Sequence, residues 1–236
     1  MKIGLNLIAT NKYIYFVPKI LESIERFFFI NEEVVVFIHT NMITDDIFST
    51  KENIKIIAKE ISHEPWPLTT LKRFHYFLKA KEDLEKCDML FYIDVDSLFV
   101  GNIEPSMIEE KGIFATLHPC LFQGEGTPER NNLSTAYIPY NSNNSYFCGG
   151  FFGGSSLDFL EMCERIKENI DTDLQKGIIA IWHDESHLNK YLFINKPSLT
   201  FFPPFAVAEN ITQLSEESKI IFLDKKSLGG HDYFRN

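Results

Sequence analysis

The sequence predicts an α/β protein built on a mostly parallel sheet. Two observations carry the prediction. Strand and helix patterns alternate as β-α-β-β-α-β from Ile3 to Ile93, the order of nucleotide-binding sheets. The buried run Met89-Leu-Phe-Tyr-Ile93 then ends in Asp94-Val-Asp96, and ligand sites in such sheets lie beyond the carboxyl ends of strands. At 236 residues and 44% hydrophobic content the chain can bury one large core, so a single domain over residues 1–236 is expected.

Taken in order, Ile3 to Ala9 reads as the first strand, and Thr10-Asn11 opens a helix reaching about Phe29. Glu32 to Thr40 is a second strand, rich in valine, and Ile54 to Ala58 a shorter third. Thr69-Thr70 opens a helix through about Leu84, ahead of the Met89 strand. Beyond Asp96 the pattern loosens. Gly112 to His118 reads as a strand, Gln123 to Ser134 and Tyr140 to Tyr146 as polar loops, and Ala136 to Pro139 as a short extended piece. Ser155 to about Ile170 and Asp184 to about Phe193 are helical by period.

Asp94 and Asp96 face the same way, because side chains two apart on an extended chain share a side. Two adjacent carboxylates need a compensating cation or donors. Hard oxygen ligands suit Mn²⁺ or Mg²⁺, whose shells are commonly finished by water and phosphate oxygens. A metal–diphosphate site is one reading and a capped turn before Pro105 the other.

Charge and cysteine content narrow the class. A net charge of −10 argues against general nucleic-acid binding, which wants a basic footprint. Cys87, Cys120, Cys148 and Cys163 have no metal-finger or CxxC spacing and suit free thiols in a reducing compartment. No run of apolar residues is long enough to span a bilayer, and Met1-Lys2-Ile3 opens directly as a strand. The expectation is a cytoplasmic protein without a membrane anchor.

A second cluster, Ile181 to Tyr191, gathers His183, Asp184, Glu185, His187 and Asn189. His183 and His187 share a helical face, which raises a zinc-hydrolase reading. Asp184 stands where a metalloprotease needs Glu, and Glu185 points roughly 200° from His183, so that reading fails on geometry. Two readings stay open: Asp184 caps a solvated helix, or Glu185 is a catalytic carboxylate facing a sugar. The glycine pairs of Tyr146-Phe-Cys-Gly-Gly-Phe-Phe-Gly-Gly154 permit a bulged strand or close approach to a ligand, with structural use favoured.

Asp94-Val-Asp96, Leu117-His-Pro119, Thr135-Ala-Tyr-Ile-Pro139, Gly149-Gly-Phe-Phe-Gly-Gly154 and Trp182-His-Asp-Glu-Ser-His-Leu-Asn-Lys-Tyr191 together resemble glycosyltransferase family 6. This is the family of the ABO blood-group transferases and α1,3-galactosyltransferase, with small soluble microbial members. The resemblance runs in unchanged order to Arg235. It implies a GT-A fold, in which a Rossmann-like nucleotide-sugar half to about residue 100 is continuous with an acceptor half ending in a closing tail. The implied reaction is retaining transfer of galactose or N-acetylgalactosamine from a UDP-sugar to the 3-hydroxyl of a β-galactoside.

By the same resemblance, Ile8, Ala9, Thr10 and Tyr13 match the segment holding uracil and ribose. Arg73 matches an arginine contacting the donor sugar, Asp94 and Asp96 the Mn²⁺ ligands, and Val95 the residue between them at the ribose. The aspartates imply metal dependence, since some bacterial members carry asparagines and work without metal. His118 and Trp182 match acceptor-binding positions. Glu185 matches the carboxylate below the anomeric carbon, where it can trap or stabilise an oxocarbenium-like sugar. Cys148, Gly149, Gly150 and Asp184 fall on the donor side, and glycine at 150 implies room for an acetamido group, hence UDP-N-acetylgalactosamine over UDP-galactose. Two positions depart from the pattern. Gly229 stands where mammalian members place a diphosphate-binding lysine, leaving Lys225 or Lys226 to join Arg235 in a tail that closes over UDP. Ala208 stands where the family has an acceptor-binding acid. A UDP-sugar-binding protein without turnover is the reading from a different class.

Overall fold

A computed structural model describes residues 1–43, 54–121, 126–140, 145–211 and 213–235. Its main sheet begins with β1 (Lys2–Ile8), β2 (Glu33–Thr40), β3 (Ile54–Glu60) and β4 (Met89–Ile93), all mutually parallel where they pair. Further along come β5 (Ser97–Phe99), β6 (Ile113–Leu117), β7 (Phe147–Ser155) and β8 (Leu199–Phe201). The order across the seven-stranded sheet is β3-β2-β1-β4-β7-β6-β8. β7 runs antiparallel to both β4 and β6, so the sheet is mixed and strands from both halves of the chain share it. A smaller sheet, β5 with β9 (Ala206–Ala208) and β10 (Ile220–Phe222), has the order β5-β10-β9.

The first helix differs from expectation. Thr10 makes no side-chain cap, a 3₁₀ turn covers Asn11–Phe16, and α1 starts afresh at Val17 and ends at Phe27. Pro18 explains the break. Inside a helix begun at Thr10 it would lack an N–H and its ring would strike the preceding turn, whereas at the start of α1 it is tolerated. The second helix is three pieces, α2 (Leu68–Leu71), α3 (Arg73–Lys79) and α4 (Lys81–Leu84), broken at Lys72 and Ala80. Thr69 turns its hydroxyl to the Glu64 carbonyl instead of capping. Ser155 caps α5 (Ser156–Gln175), accepting from the Asp158 N–H. α6 (His183–Asn195) and the terminal α7 (Gly230–Arg235) complete the helices named here. Ala136–Pro139 joins no described strand, and 122–125 and 141–144 of the expected loops lie outside the described residues.

Apolar residues fill both faces of the main sheet. One cluster packs α1 and Phe28, Phe91, Phe151 and Phe205 against one face. The other packs Phe74, Phe77, Phe152 and Phe159 between α3, α5 and the opposite face. β7 brings Phe151 and Phe152 to opposite faces and glycines to its contacts with β4. A Cβ at Gly153 would lie 2.4 Å from Phe91 Cδ1 and 2.7 Å from the Leu90 carbonyl oxygen. The second glycine pair is thus required by packing, since a Cβ at Gly154 would also lie 2.4 Å from the Gly112 carbonyl oxygen, whereas at Gly149 it would meet only ordinary contacts.

Candidate active site

Asp94 follows β4 directly, and its N–H donates to the Gly150 carbonyl at 2.9 Å. The antiparallel pairing therefore sets the acidic pair beside Cys148-Gly-Gly150. Two cavities meet here, sharing Asp94, Asp96 and Lys225 in their walls.

The first cavity, about 210 Å³, lies over the carboxyl ends of β1 and β4 and is lined by Ile8, Thr10, Tyr13, Arg73, Val95 and Arg235, among others. Tyr13 packs against Phe16 and Phe234 at centroid distances of 6.1 and 5.4 Å. Arg235 from α7 lies 4.3 Å over the Trp66 ring, and Lys12 Nζ donates to the Tyr233 carbonyl at 2.9 Å. These contacts draw the C-terminal helix across the rim. Gly229 has φ 104°, a left-handed conformation that ends the preceding 3₁₀ turn. That backbone is strained for lysine and suits the glycine that stands here.

Behind the rim an ion network fixes the acids. Arg73 is buried with Nε 2.8 Å from Asp184 Oδ2 and Nη2 3.6 Å from Asp94 Oδ1, and Nη1 donates to the Gly149 carbonyl. Its guanidinium lies 4.3 Å over the Tyr92 ring, and Tyr92 Oη donates to Asp94 Oδ1 at 2.5 Å. Burial pushes the Asp184 carboxyl up to about 7, with Glu185 and Asp94 adding and Arg73 opposing. Burial also works against the Arg73 charge, but Asp184, Tyr92, Asp94 and Glu185 more than offset it. We take Arg73 as charged and Asp184 as its buried counter-ion, because a 2.8 Å contact to a guanidinium favours the ionised carboxylate. Asp184 does not cap α6; it lies in the first turn and points inward.

The second cavity, about 250 Å³, is lined by His118, Cys148, Gly150, Glu185, Ala208 and Phe222, with others. Glu185 Oε1 accepts from Tyr146 Oη and Oε2 from the Gly149 N–H, both at 2.7 Å. Burial and the Glu185 charge push the Tyr146 phenol well up, so it remains a donor. Asn189, one turn along α6, donates to the carbonyls of Phe147 and Glu185 and accepts from the Phe147 N–H. This pins α6 to β7 and aims Glu185 into the cavity. His118 lies 5.9 Å from the Tyr146 ring, and burial pushes its pKa down while Glu185 opposes.

Not every expected residue meets the cavities. Ala9 is buried in the core, Gly149 stands behind Glu185, and Trp182 is half-exposed and lines neither cavity. The Lys226 side chain is exposed and outside both cavities, whereas Lys225 Nζ contacts Asp96 Oδ2. His183 packs edge-on to Trp66, and His187 is buried 3.8 Å from Asp173. The sequence assigned no role to Tyr92, Tyr146, Asn189 or Phe222. Tyr92 was findable, since it is two residues before Asp94 on the same strand face, and Asn189 is one turn from Glu185. Tyr146 and Phe222 carried no local signal.

The two carboxylates fit a divalent cation. Asp94 Oδ1 is held by Tyr92 while Oδ2 faces Gly150, and Asp96 already attracts a cation from Lys225. Among the described residues no group of three or more His, Cys, Asp or Glu is placed to hold a metal. Two protein oxygens with the shell completed by water and phosphate is an arrangement Mg²⁺ and Mn²⁺ accept.

Among known proteins, the model of glycosyltransferase family 6 matches residues 1–228. The chain is 30% identical over 238 residues to the O-antigen biosynthesis glycosyltransferase WbnI of Escherichia coli, covering 96% of each. It is 29% identical over 216 residues to histo-blood group ABO system transferase 1 of Rattus norvegicus and 28% over 213 to globoside α-1,3-N-acetylgalactosaminyltransferase 1 of Homo sapiens. It spans 60% of the length of each of these two mammalian relatives. With its mixed sheet of GT-A type, the chain belongs to glycosyltransferase family 6.

Proposed function

We propose that the chain is a retaining, metal-dependent α1,3-N-acetylgalactosaminyltransferase moving N-acetylgalactosamine from UDP-N-acetylgalactosamine to a β-galactoside. The observation that carries the reading is Glu185, held by Tyr146 and the Gly149 N–H in the cavity that Asp94, Asp96 and Lys225 also line. The UDP moiety occupies the first cavity, with Thr10, Tyr13 and Val95 at the nucleoside. The hexose extends past Asp94 toward Glu185. Asp94 and Asp96 hold Mn²⁺ or Mg²⁺, which when bound offsets the charge of the diphosphate. Arg73 keeps Asp94 and Asp184 in place, and Lys225 and Arg235 supply cations to the leaving group. As the glycosidic bond to UDP breaks, Glu185 faces the positive charge developing on the sugar. Its two donors fix its direction. The acceptor hydroxyl enters between His118 and Ala208. The reading takes residues 1–236 as one catalytic domain and places the protein in the cytoplasm. Among the described residues no helix is long and apolar enough to cross a membrane, and the four cysteines are unpaired.

A UDP-galactose-using enzyme is the second reading, favoured by the 25% identity over 225 residues to α-1,3-galactosyltransferase 2 of Homo sapiens. Release of UDP from either donor, with a fucosylated or plain β-galactoside, with Mn²⁺ and with chelator, tests both. Acceptor-stimulated turnover preferring the N-acetyl sugar and lost with chelator supports the first reading. Turnover indifferent to chelator removes the metal role, and UDP binding without turnover on any acceptor points to a binding protein.

A further inference from the structure

The space beside Gly150 is not empty. A Cβ placed there would lie 2.6 Å from Phe222 Cε1 and 2.9 Å from its Cζ, with Asp94 Oδ2 next at 3.2 Å. Such approaches to a ring leave no room for even one methyl group unless the ring moves. The room expected beside glycine at 150 is thus occupied by the Phe222 ring, and the space left for a ligand there is what the ring leaves. Phe222 also lines the second cavity, together with Glu185 and Ala208.

The strand that carries the ring is held through its backbone on both sides. In β10, Phe222 is in register with Ser97 of β5 and Ala208 of β9. Its carbonyl accepts from the Glu209 N–H at 2.9 Å, and the next N–H, that of Leu223, donates to the Asp96 carbonyl at 3.0 Å. The strand carrying the ring is thus stitched to the acidic pair on one side and to Ala208 on the other. The Phe222 ring, anchored by that strand, stands beside Gly150 of β7 in the wall of the second cavity.

We propose that Phe222 is a specificity-determining residue for the donor, gauging the substituent at C2 of the hexose. This rests on the donor reading above, in which the hexose lies between Asp94 and Glu185 beside Gly150. A hydroxyl and an acetamido group differ by several heavy atoms, and a close apolar wall discriminates between groups of different size. Ring size at 222, together with the missing side chain at 150, then sets the donor preference.

Calorimetric titration of the full chain with UDP, UDP-N-acetylgalactosamine and UDP-galactose in Mn²⁺ tests the proposal without relying on turnover. Phe222→Ala is expected to move the ratio of the two sugar-nucleotide affinities about tenfold toward the N-acetyl sugar, with UDP affinity kept. Phe222→Leu moves it in the same direction by less. Gly150→Ala weakens both sugar nucleotides, and Gly150→Ala/Phe222→Ala recovers binding, a non-additivity that two independent structural lesions would not produce. If Phe222→Ala no longer binds UDP, the Phe222→Leu ratio decides. An unchanged ratio with UDP binding intact overturns the role of Phe222 and leaves the donor reading standing. No binding of either sugar nucleotide by the unaltered chain overturns both.

Discussion

The Lys225 ammonium meets Asp96 Oδ2, an ion pair closed across 129 positions of sequence with both side chains nearly buried. A cation from the C-terminal segment thus occupies one acid of the pair assigned to metal. Burial pushes the Lys225 pKa down, with Asp94 opposing and Arg235 adding. Lys225→Ala is expected to raise Mn²⁺ affinity in the absence of nucleotide, because Asp96 loses its competitor. UDP affinity is expected to fall by about tenfold, the loss of one charge-assisted contact of roughly 1.5 kcal/mol. Calorimetry measures both. If neither affinity moves, Lys225 has no part in the site.

Glu185→Gln keeps the size and the Tyr146 contact but removes the negative charge facing the sugar. Transfer is expected to slow by about 10²-fold or more while UDP binding is unchanged, the scale of removing one electrostatic stabiliser. Tyr146→Phe should cost less, because the Gly149 N–H still holds Oε2. Steady-state rates and UDP affinity together check this. A rate within a few-fold of the unaltered chain would exclude Glu185 as the group facing the reaction centre.

Arg73→Ala leaves Asp184 buried without its counter-ion. Breaking a buried pair by removing one partner costs about 3–5 kcal/mol, and loss of the cation lets the already raised carboxyl take up a proton, which places the expectation near the lower figure. Arg73→Lys is expected to recover only part, since an ammonium cannot reach Asp184 and the Gly149 carbonyl in the guanidinium's fork geometry. Urea unfolding at neutral pH measures the difference. Equal stability of Arg73→Ala and the unaltered chain would refute the pairing.

His39 and His187 are buried, and burial pushes their pKa values down to about 3 and about 4 from 6.5. Lys59 adds to the shift at His39, while Asp173 and Glu129 oppose it at His187. Below 6.5 the unfolded chain takes up protons that the folded chain refuses, so stability is full above that value and declines as pH falls. Down to about pH 4 the decline approaches 1.4 kcal/mol per pH unit for each histidine. Urea midpoints across this window should shift downward, less steeply in His39→Gln. A flat profile between about pH 6.5 and 4.5 would count against both histidines.

What the sequence could show of this fold was decided by range. The parallel strands and Ser155's cap were legible because valine runs, alternation and a hydroxyl before a helix act over a few residues. Thr10 and Thr69-Thr70 misled because Pro18 and the bonding of Thr69 to Glu64 overrode the capping signal. The three short strands of the second sheet went unread: each has three residues, too few to carry a period. In the site, Asp94, Asp96, Arg73 and Glu185 stood out by type and motif. Tyr146 and Phe222 come beside the acids only through the long-range pairing of β7 with β4 and of β10 with β5, which leaves no local trace.

Because β7 runs against β4, the chain between Asp96 and Cys148 leaves the site and returns to the same place, its two ends tied by the bond from the Asp94 N–H to the Gly150 carbonyl. Among its described residues the excursion supplies His118, Pro119 and Cys120 to the wall of the second cavity. Its described residues are also tied to the helices behind the site: Glu129 accepts from the Ile181 N–H, the Ser134 hydroxyl donates to Asp173 of α5, the Tyr137 carbonyl accepts from Lys190 Nζ of α6, and Tyr146 at the returning end donates to Glu185. A single loop of chain thus closes both sides of the site, leaving from one acid and coming back with the hydroxyl that orients Glu185.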